Sequence, residues 1–137
     1  MKKEIIEQTF KLDPDLFEVH EFDYERLGNR FREMAFLNKG LKILLKDERN
    51  DKKDTFHYEG GLAEFVRQIN SNREVMHKEV IVISGERETE KGPVSIELAL
   101  QWSDAFSESI QCYTNIIRNK DGGTHMTGLR GALTKSV

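Results

Sequence analysis

Val94-Ser95-Ile96-Glu97-Leu98-Ala99-Leu100-Gln101-Trp102-Ser103 alternates without a break: Val94, Ile96, Leu98, Leu100 and Trp102 fall on one side, Ser95, Glu97, Ala99, Gln101 and Ser103 on the other. Successive side chains of a strand point to opposite faces, so this period of two predicts a strand with one buried face. Trp102, at the end of that face, is expected in the core. Upstream, the β-branched run at 80–84 predicts a strand in a sheet interior. The charged residues 86–92 between the two predict a turn. Downstream, 109–117 reads as a further strand. Asp121-Gly122-Gly123 then turns the chain sharply, and Thr124 is placed to cap a last helix carrying Met126, Leu129, Leu133 and Val137. That apolar stripe reaches the last residue without a stop signal, which reads as a chain cut inside a helix.

The earlier half adds helices. Asp13-Pro14-Asp15 ends a short expected strand at 5–11, because the residue before proline avoids the helical region. Asp23 has the chemistry of an N-cap for a helix at 24–38, whose Leu27, Phe31, Met34, Ala35 and Asn38 share a face, and Gly40 supplies a left-handed stop. Leu41, Ile43 and Leu45 alternate with Lys42, Leu44 and Lys46, and 55–59 reads as the return strand of a hairpin across the polar loop 48–53. After Gly60-Gly61, Leu62, Phe65, Val66 and Ile69 form the apolar stripe of a second helix, which Asn70-Ser71-Asn72 ends. The order strand, helix, hairpin, helix, three strands, helix is an α+β pattern, mostly antiparallel with helices on one face.

Composition narrows the chemistry. At 137 residues, 37% hydrophobic and 33% charged, the chain is long enough for one core and too apolar to be disordered. No apolar run has the length of a membrane span and no signal-peptide stretch follows Met1-Lys2-Lys3-Glu4, so a cytoplasmic location is expected. Cys112 is the single cysteine, which leaves no internal disulfide and reads as a small packing residue. His20, His57, His77 and His125 are far apart, so no zinc-type pairing is expected. Neither a Gly-x-Ser-x-Gly elbow nor a flanked nucleophilic cysteine occurs. Gly122-Gly123 opening a helix resembles a phosphate cradle, but a tight strand-to-helix turn asks for the same glycines. The net charge is −3, yet 112–137 holds Arg118, Lys120, Arg130 and Lys135 against Asp121 alone. A basic end on an acidic body suits contact with a polyanion, but on charge alone chance clustering in a charged protein is the simpler account.

Read together, several segments resemble the bacterial gyrase B subunits. Phe31-Arg32-Glu33-Met34-Ala35-Phe36-Leu37-Asn38-Lys39-Gly40 is similar to their first transducer helix, and Phe56-His57-Tyr58-Glu59-Gly60-Gly61 to their hairpin exit. Ala99-Leu100-Gln101-Trp102 and Thr114-Asn115-Ile116 resemble the strands that follow, and Asp121-Gly122-Gly123-Thr124-His125 the turn into the next helix. The Gly-Gly-Thr-His element is shared among type IIA topoisomerases, with the B subunit of topoisomerase IV the nearest competitor.

The resemblance implies an incomplete transducer of ribosomal protein S5 domain 2-like fold. It assigns 1–17 to the tail of a GHKL-type ATPase domain and 18–137 to the first part of the transducer. The parent would be an ATP-hydrolysing topoisomerase that supercoils DNA by passing one duplex through another. In it, this piece would relay clamp closure and line the DNA cavity, working with duplex DNA, a gyrase A subunit and a second B subunit. The catalytic glutamate and magnesium-binding asparagine, the adenine pocket, the glycine-rich lid and the Gln-Thr-Lys loop have no counterpart here. Leu133-Thr134-Lys135 is not that loop, so ATP and Mg2+ belong to the parent and no activity is expected of this piece alone. The family's DNA-cavity arginine corresponds to Arg130, with Lys135 five positions on. Gly122, Gly123, Thr124 and His125 form a structural motif. An uncovered sheet edge and helix stripe imply self-association. The other expectation is a stand-alone short protein that binds gyrase or DNA as a regulator.

Overall fold

The computed structural model describes residues 5–9, 12–18 and 21–136. The strand expected at 5–11 is not found: residues 5–9 are irregular, and Phe10 and Lys11 lie outside the described residues. At 13–17 the chain turns, with the amides of Leu16 and Phe17 donating to the Asp13 carbonyl at 3.2 and 3.1 Å.

Helix α1 spans Tyr24–Leu37. Its N-cap is Asp23, whose carboxylate accepts from the amides of Glu25 and Arg26 at 3.0 and 3.1 Å and satisfies two of the orphan donors of the first turn. At the other end Gly40 takes φ +85, the left-handed conformation that lets the chain reverse. Strands β1 (Lys42–Asp47) and β2 (Lys52–His57) pair antiparallel, with Lys42 opposite His57 and Asp47 opposite Lys52. Helix α2 follows at Gly61–Ile69.

These elements enclose the core. Ala35, Phe36 and Phe56 are buried, and the Phe36 ring stacks on Tyr58 at 3.7 Å and on Phe65 at 4.9 Å. Aromatic pairs in contact add to the area they bury, so one ring joins α1, the end of β2 and α2. Arg32 lies 5.5 Å over the Phe56 ring, and a methyl at Gly28 would sit 3.6 Å from that ring.

Beyond α2 the architecture opens. β3 (Ile81–Thr89) and β4 (Gly92–Leu100) form a long hairpin, with Thr89 opposite Gly92. The turn is therefore Glu90-Lys91, and most of the turn expected at 86–92 is strand. The β-branched run predicts a sheet interior, but every residue of β3 is exposed. Opposite residues of an antiparallel pair share a face, so Ile81, Ile83, Val94, Ile96, Leu98 and Leu100 lie together on one side. Of these, Ile81, Ile83, Val94 and Ile96 remain open to solvent.

The strand expected at 109–117 is instead broken into β5 (Tyr113–Thr114) and β6 (Ile117–Arg118). Asn115 and Ile116 between them have φ 47 and 67, the two positive values that a tight hairpin turn needs. Ile116 is β-branched and strained there. Arg30 of α1 holds this turn by donating to the Ile116 carbonyl at 2.7 Å while pairing with Glu33 at 3.2 Å. The antiparallel pairing is as expected, but among the described residues it forms three separate two-stranded sheets. Cys112 is buried, in keeping with a packing role. Trp102 is half-exposed and not a core residue. Its amide donates to the ring of His77 at 3.0 Å, and the two rings meet at a tilt.

Candidate nucleic-acid interface

Helix α3 (Thr124–Ser136) carries the candidate DNA-facing residues. The turn into it is built by its glycines. Gly122 has φ +73, and a methyl there would collide with the end of the Met126 side chain. A methyl on Gly123 would lie 2.8 Å from the His125 ring. The carbonyl of Gly123 accepts from the amides of Met126 and Thr127, so Gly123 opens the helix and Thr124 is already inside it. That corrects the reading of Thr124 as the cap.

The same geometry tests the turn as a phosphate cradle. The Met126 and His125 side chains lie against the two glycines, so the turn needs glycine for its own packing. Leu133-Thr134-Lys135 is helical, and the Thr134 hydroxyl donates to the Arg130 carbonyl at 2.8 Å rather than outward. Among the described residues no group of three His, Cys, Asp or Glu side chains is placed to hold a metal.

Arg130 and Lys135 are not brought together. Five positions at about 100° each put them about 140° apart around the axis. Arg130 pairs with Glu108 of the preceding loop, both side chains being about half-exposed, whereas Lys135 forms no ion pair with the described residues. An exposed pair of this kind is worth about 0–1 kcal/mol, little enough for a phosphate to displace Glu108. No residue of α3 is buried: Met126 and Leu129 are partly covered, Leu133 is exposed, and Val137 lies outside the described residues.

A second cluster has no clear signal in the sequence. At the tip of the β1–β2 hairpin, Arg49 donates to both Asp47 oxygens through Nε and Nη2, each at 2.9 Å, and the Arg49 amide adds a third bond at 3.0 Å. Asp47 is buried, and the Arg49 side chain beside it holds its carboxyl down at about 2. From there Arg49 Nη2 donates to the Phe22 carbonyl at 3.0 Å, and Nη1 lies 3.7 Å from Glu21. Nearby, the Tyr24 hydroxyl donates to Asp54 at 2.8 Å and Lys52 sits 5.7 Å over its ring. Burial, then that bond to Asp54, raises the Tyr24 phenol above its ordinary value. Only the polar loop 48–53 hints at this, and such loops are ordinarily solvated.

Gln101 is the other residue whose part shows only in three dimensions. Its amide donates to the His77 carbonyl at 2.9 Å and its oxygen accepts from the buried Asn70 at 3.1 Å. That ties the end of α2 to the end of β4. Among the described residues, no helix is long and apolar enough to cross a membrane.

The molecule is thus an α+β domain of antiparallel hairpins with a basic, unpacked last helix. The family described as DNA gyrase B matches residues 61–137. This chain belongs to that family. The B subunit of DNA gyrase from Clostridium acetobutylicum is 48% identical over 128 residues, covering 93% of this chain and 20% of that protein. The B subunit of DNA topoisomerase 4 from Bacillus subtilis is 42% identical, covering 93% and 19%. Among solved structures, the B-subunit of the DNA gyrase from Myxococcus xanthus superposes with a TM-score of 0.77 at 28% identity, covering 88% of this chain and 34% of that one. The 43K ATPase domain of Thermus thermophilus gyrase B in complex with an aminocoumarin gives 0.76 at 30%, covering 88% and 32%. The chain spans about a fifth of the length of the curated relatives it matches.

Proposed function

We propose that this chain serves as part of the B subunit of a DNA gyrase, in the cytoplasm, where 1–17 close an ATPase domain and 18–137 begin the transducer. The observation that carries the reading is the family match over 61–137, which includes α3 with Arg130. In this role the chain hydrolyses nothing by itself. Nucleotide and Mg2+ are held by other parts of the subunit, and the partners are duplex DNA, a gyrase A subunit and a second B subunit. Arg130 leaves Glu108 for a DNA phosphate as the duplex enters the cavity, and Lys135 adds a second, separate contact. The open faces of β3–β4 and α3 are covered by the remainder of the subunit.

The test is a replacement. The 128 matched residues of the Clostridium acetobutylicum subunit are exchanged for those of this chain, and ATP-dependent supercoiling is measured with the gyrase A subunit. Retained supercoiling supports the reading; retained ATP hydrolysis with no supercoiling overturns it. For the DNA contact, one or two phosphates give a slope of about −1 to −2 in log affinity against log salt. Arg130→Ala in the isolated chain is expected to lower that slope by about one. An unchanged slope removes Arg130 from the interface. The 42% identity to a topoisomerase 4 subunit favours one second reading, that of a decatenating relative. The same exchange in that subunit, read by decatenation, separates the two.

A further inference from the structure

We propose that Arg49 is a positioning residue, one that locks the backbone leading into α1 to the tip of the β1–β2 hairpin so that a shift of that lead-in moves the hairpin with it. The inference rests on the relay role proposed above and names the contact that performs it.

The argument is geometric. A guanidinium is a planar fork with donors in fixed directions. Asp47 occupies two of them, and with the Arg49 amide it fixes the fork from one side. The fork is thereby pre-aimed at a target 27 residues back in sequence, the Phe22 carbonyl, with Glu21 beside it. A backbone carbonyl moves only if the chain moves, so this bond reports and constrains the path of the main chain itself. Tyr24, the first residue of α1, and Asp54 supply a second anchor two residues beyond Phe22. Two anchors suppress rotation as well as translation. The other end of the hairpin is seated in the core, where Phe56 lies under Gly28 and Arg32. The hairpin is therefore a short lever, its tip tied to residues 21–24 and its base tied to the middle of α1.

Two measurements test this. In the 137-residue chain, Arg49→Met is expected to speed hydrogen exchange of the Glu25, Arg26 and Leu27 amides, which Asp23 holds, with Phe36 and its neighbours still protected. Unchanged exchange there overturns the lock. In the exchanged subunit, ATP hydrolysis is expected to persist while supercoiling per ATP falls about two- to thirty-fold, the span that coupling residues give. Arg49→Lys, which keeps charge but not the fork, falls between. Tyr24→Phe, which removes the second anchor, gives a smaller loss and deepens that of Arg49→Met. Equal supercoiling per ATP in wild type and Arg49→Met overturns the proposal, as does a loss that merely tracks a lowered Tm. An inactive exchanged subunit without any substitution counts against the gyrase reading alone, and the exchange rates at 25–27 still decide the lock.

Discussion

Phe36 and Ile96 are both large apolar residues, and their surroundings are opposite to what spacing predicts: Phe36 is absent from the face read for the first helix, whereas Ile96 is on the apolar side of β4. Phe36 is 1% exposed between Tyr58 and Phe65; Ile96 is 61% exposed in the middle of β4. The same contrast separates the two halves. Residues 21–70 close on themselves, because α1, the β1–β2 hairpin and α2 each present an apolar face to the others. Residues 81–136 form two hairpins and a helix with good local geometry and open faces. The accessible surface, 12043 Å², exceeds the roughly 7,400 Å² that mass scaling gives a compact monomer of this size. Apolar periodicity marks a face that is to be covered, and it is silent on what covers it.

The sharpest way to break this comparison is to truncate both side chains. Phe36→Ala is expected to cost about 3–5 kcal/mol, as for a buried aromatic ring. Ile96→Ala is expected to stay within about 0.5 kcal/mol, as for an exposed site. Chemical denaturation of both variants decides it; similar losses would mean that β4 is packed in solution.

Next in size is association. The open face of Ile81, Ile83, Val94 and Ile96 is expected to make the isolated chain self-associate at high concentration, visible by light scattering. The pair Ile83→Lys and Ile96→Lys is expected to return it to a monomer without lowering its helix content. A wild-type chain that stays monomeric throughout contradicts the expectation.

A smaller effect sits at the turn before α3. Gly122→Ala meets both a left-handed backbone and the Met126 side chain, a penalty of about 1–2 kcal/mol. Since α3 has no packing to offset it, the loss is expected as helical circular dichroism already at low temperature, with the 21–70 core unaffected.

The smallest is a pH dependence confined to the closed half. Asp47 has its carboxyl lowered from 3.8 to about 2, so its contribution is complete above 3.8 and fades as pH falls toward 2. An acid titration of Tm is expected to show that fall, and Arg49→Met is expected to flatten it. The flattening would tie the acid limb to the hairpin tip rather than to carboxylates at large.

Much of this is written in local sequence. Asp23 before Tyr24, Gly40 after the helix, and the stripe Leu62, Phe65, Val66, Ile69 specify their elements through backbone sterics and capping, which act over a few residues. The basic character of 112–137 and the place of Arg130 on a helix are equally legible. The break at Asn115-Ile116 is not, because a β-branched residue in a left-handed turn contradicts its own propensity and is held there by Arg30 from α1. Arg49 is hidden for a related reason. A charged residue in a polar loop looks solvated until the fold brings a carbonyl from 27 positions earlier within 3.0 Å.

By itself, then, the sequence determined where the three helices lie, that the β1–β2 hairpin separates the first two, that β4 alternates, and which family the motifs resemble. Tertiary structure alone decided that Phe36 is enclosed while Ile96 and Trp102 are not, that Arg130 rests on Glu108, and that Arg49 fastens the chain leading into α1. Propensity and periodicity act between neighbours a few residues apart, whereas enclosure and long-range hydrogen bonds depend on which distant groups arrive.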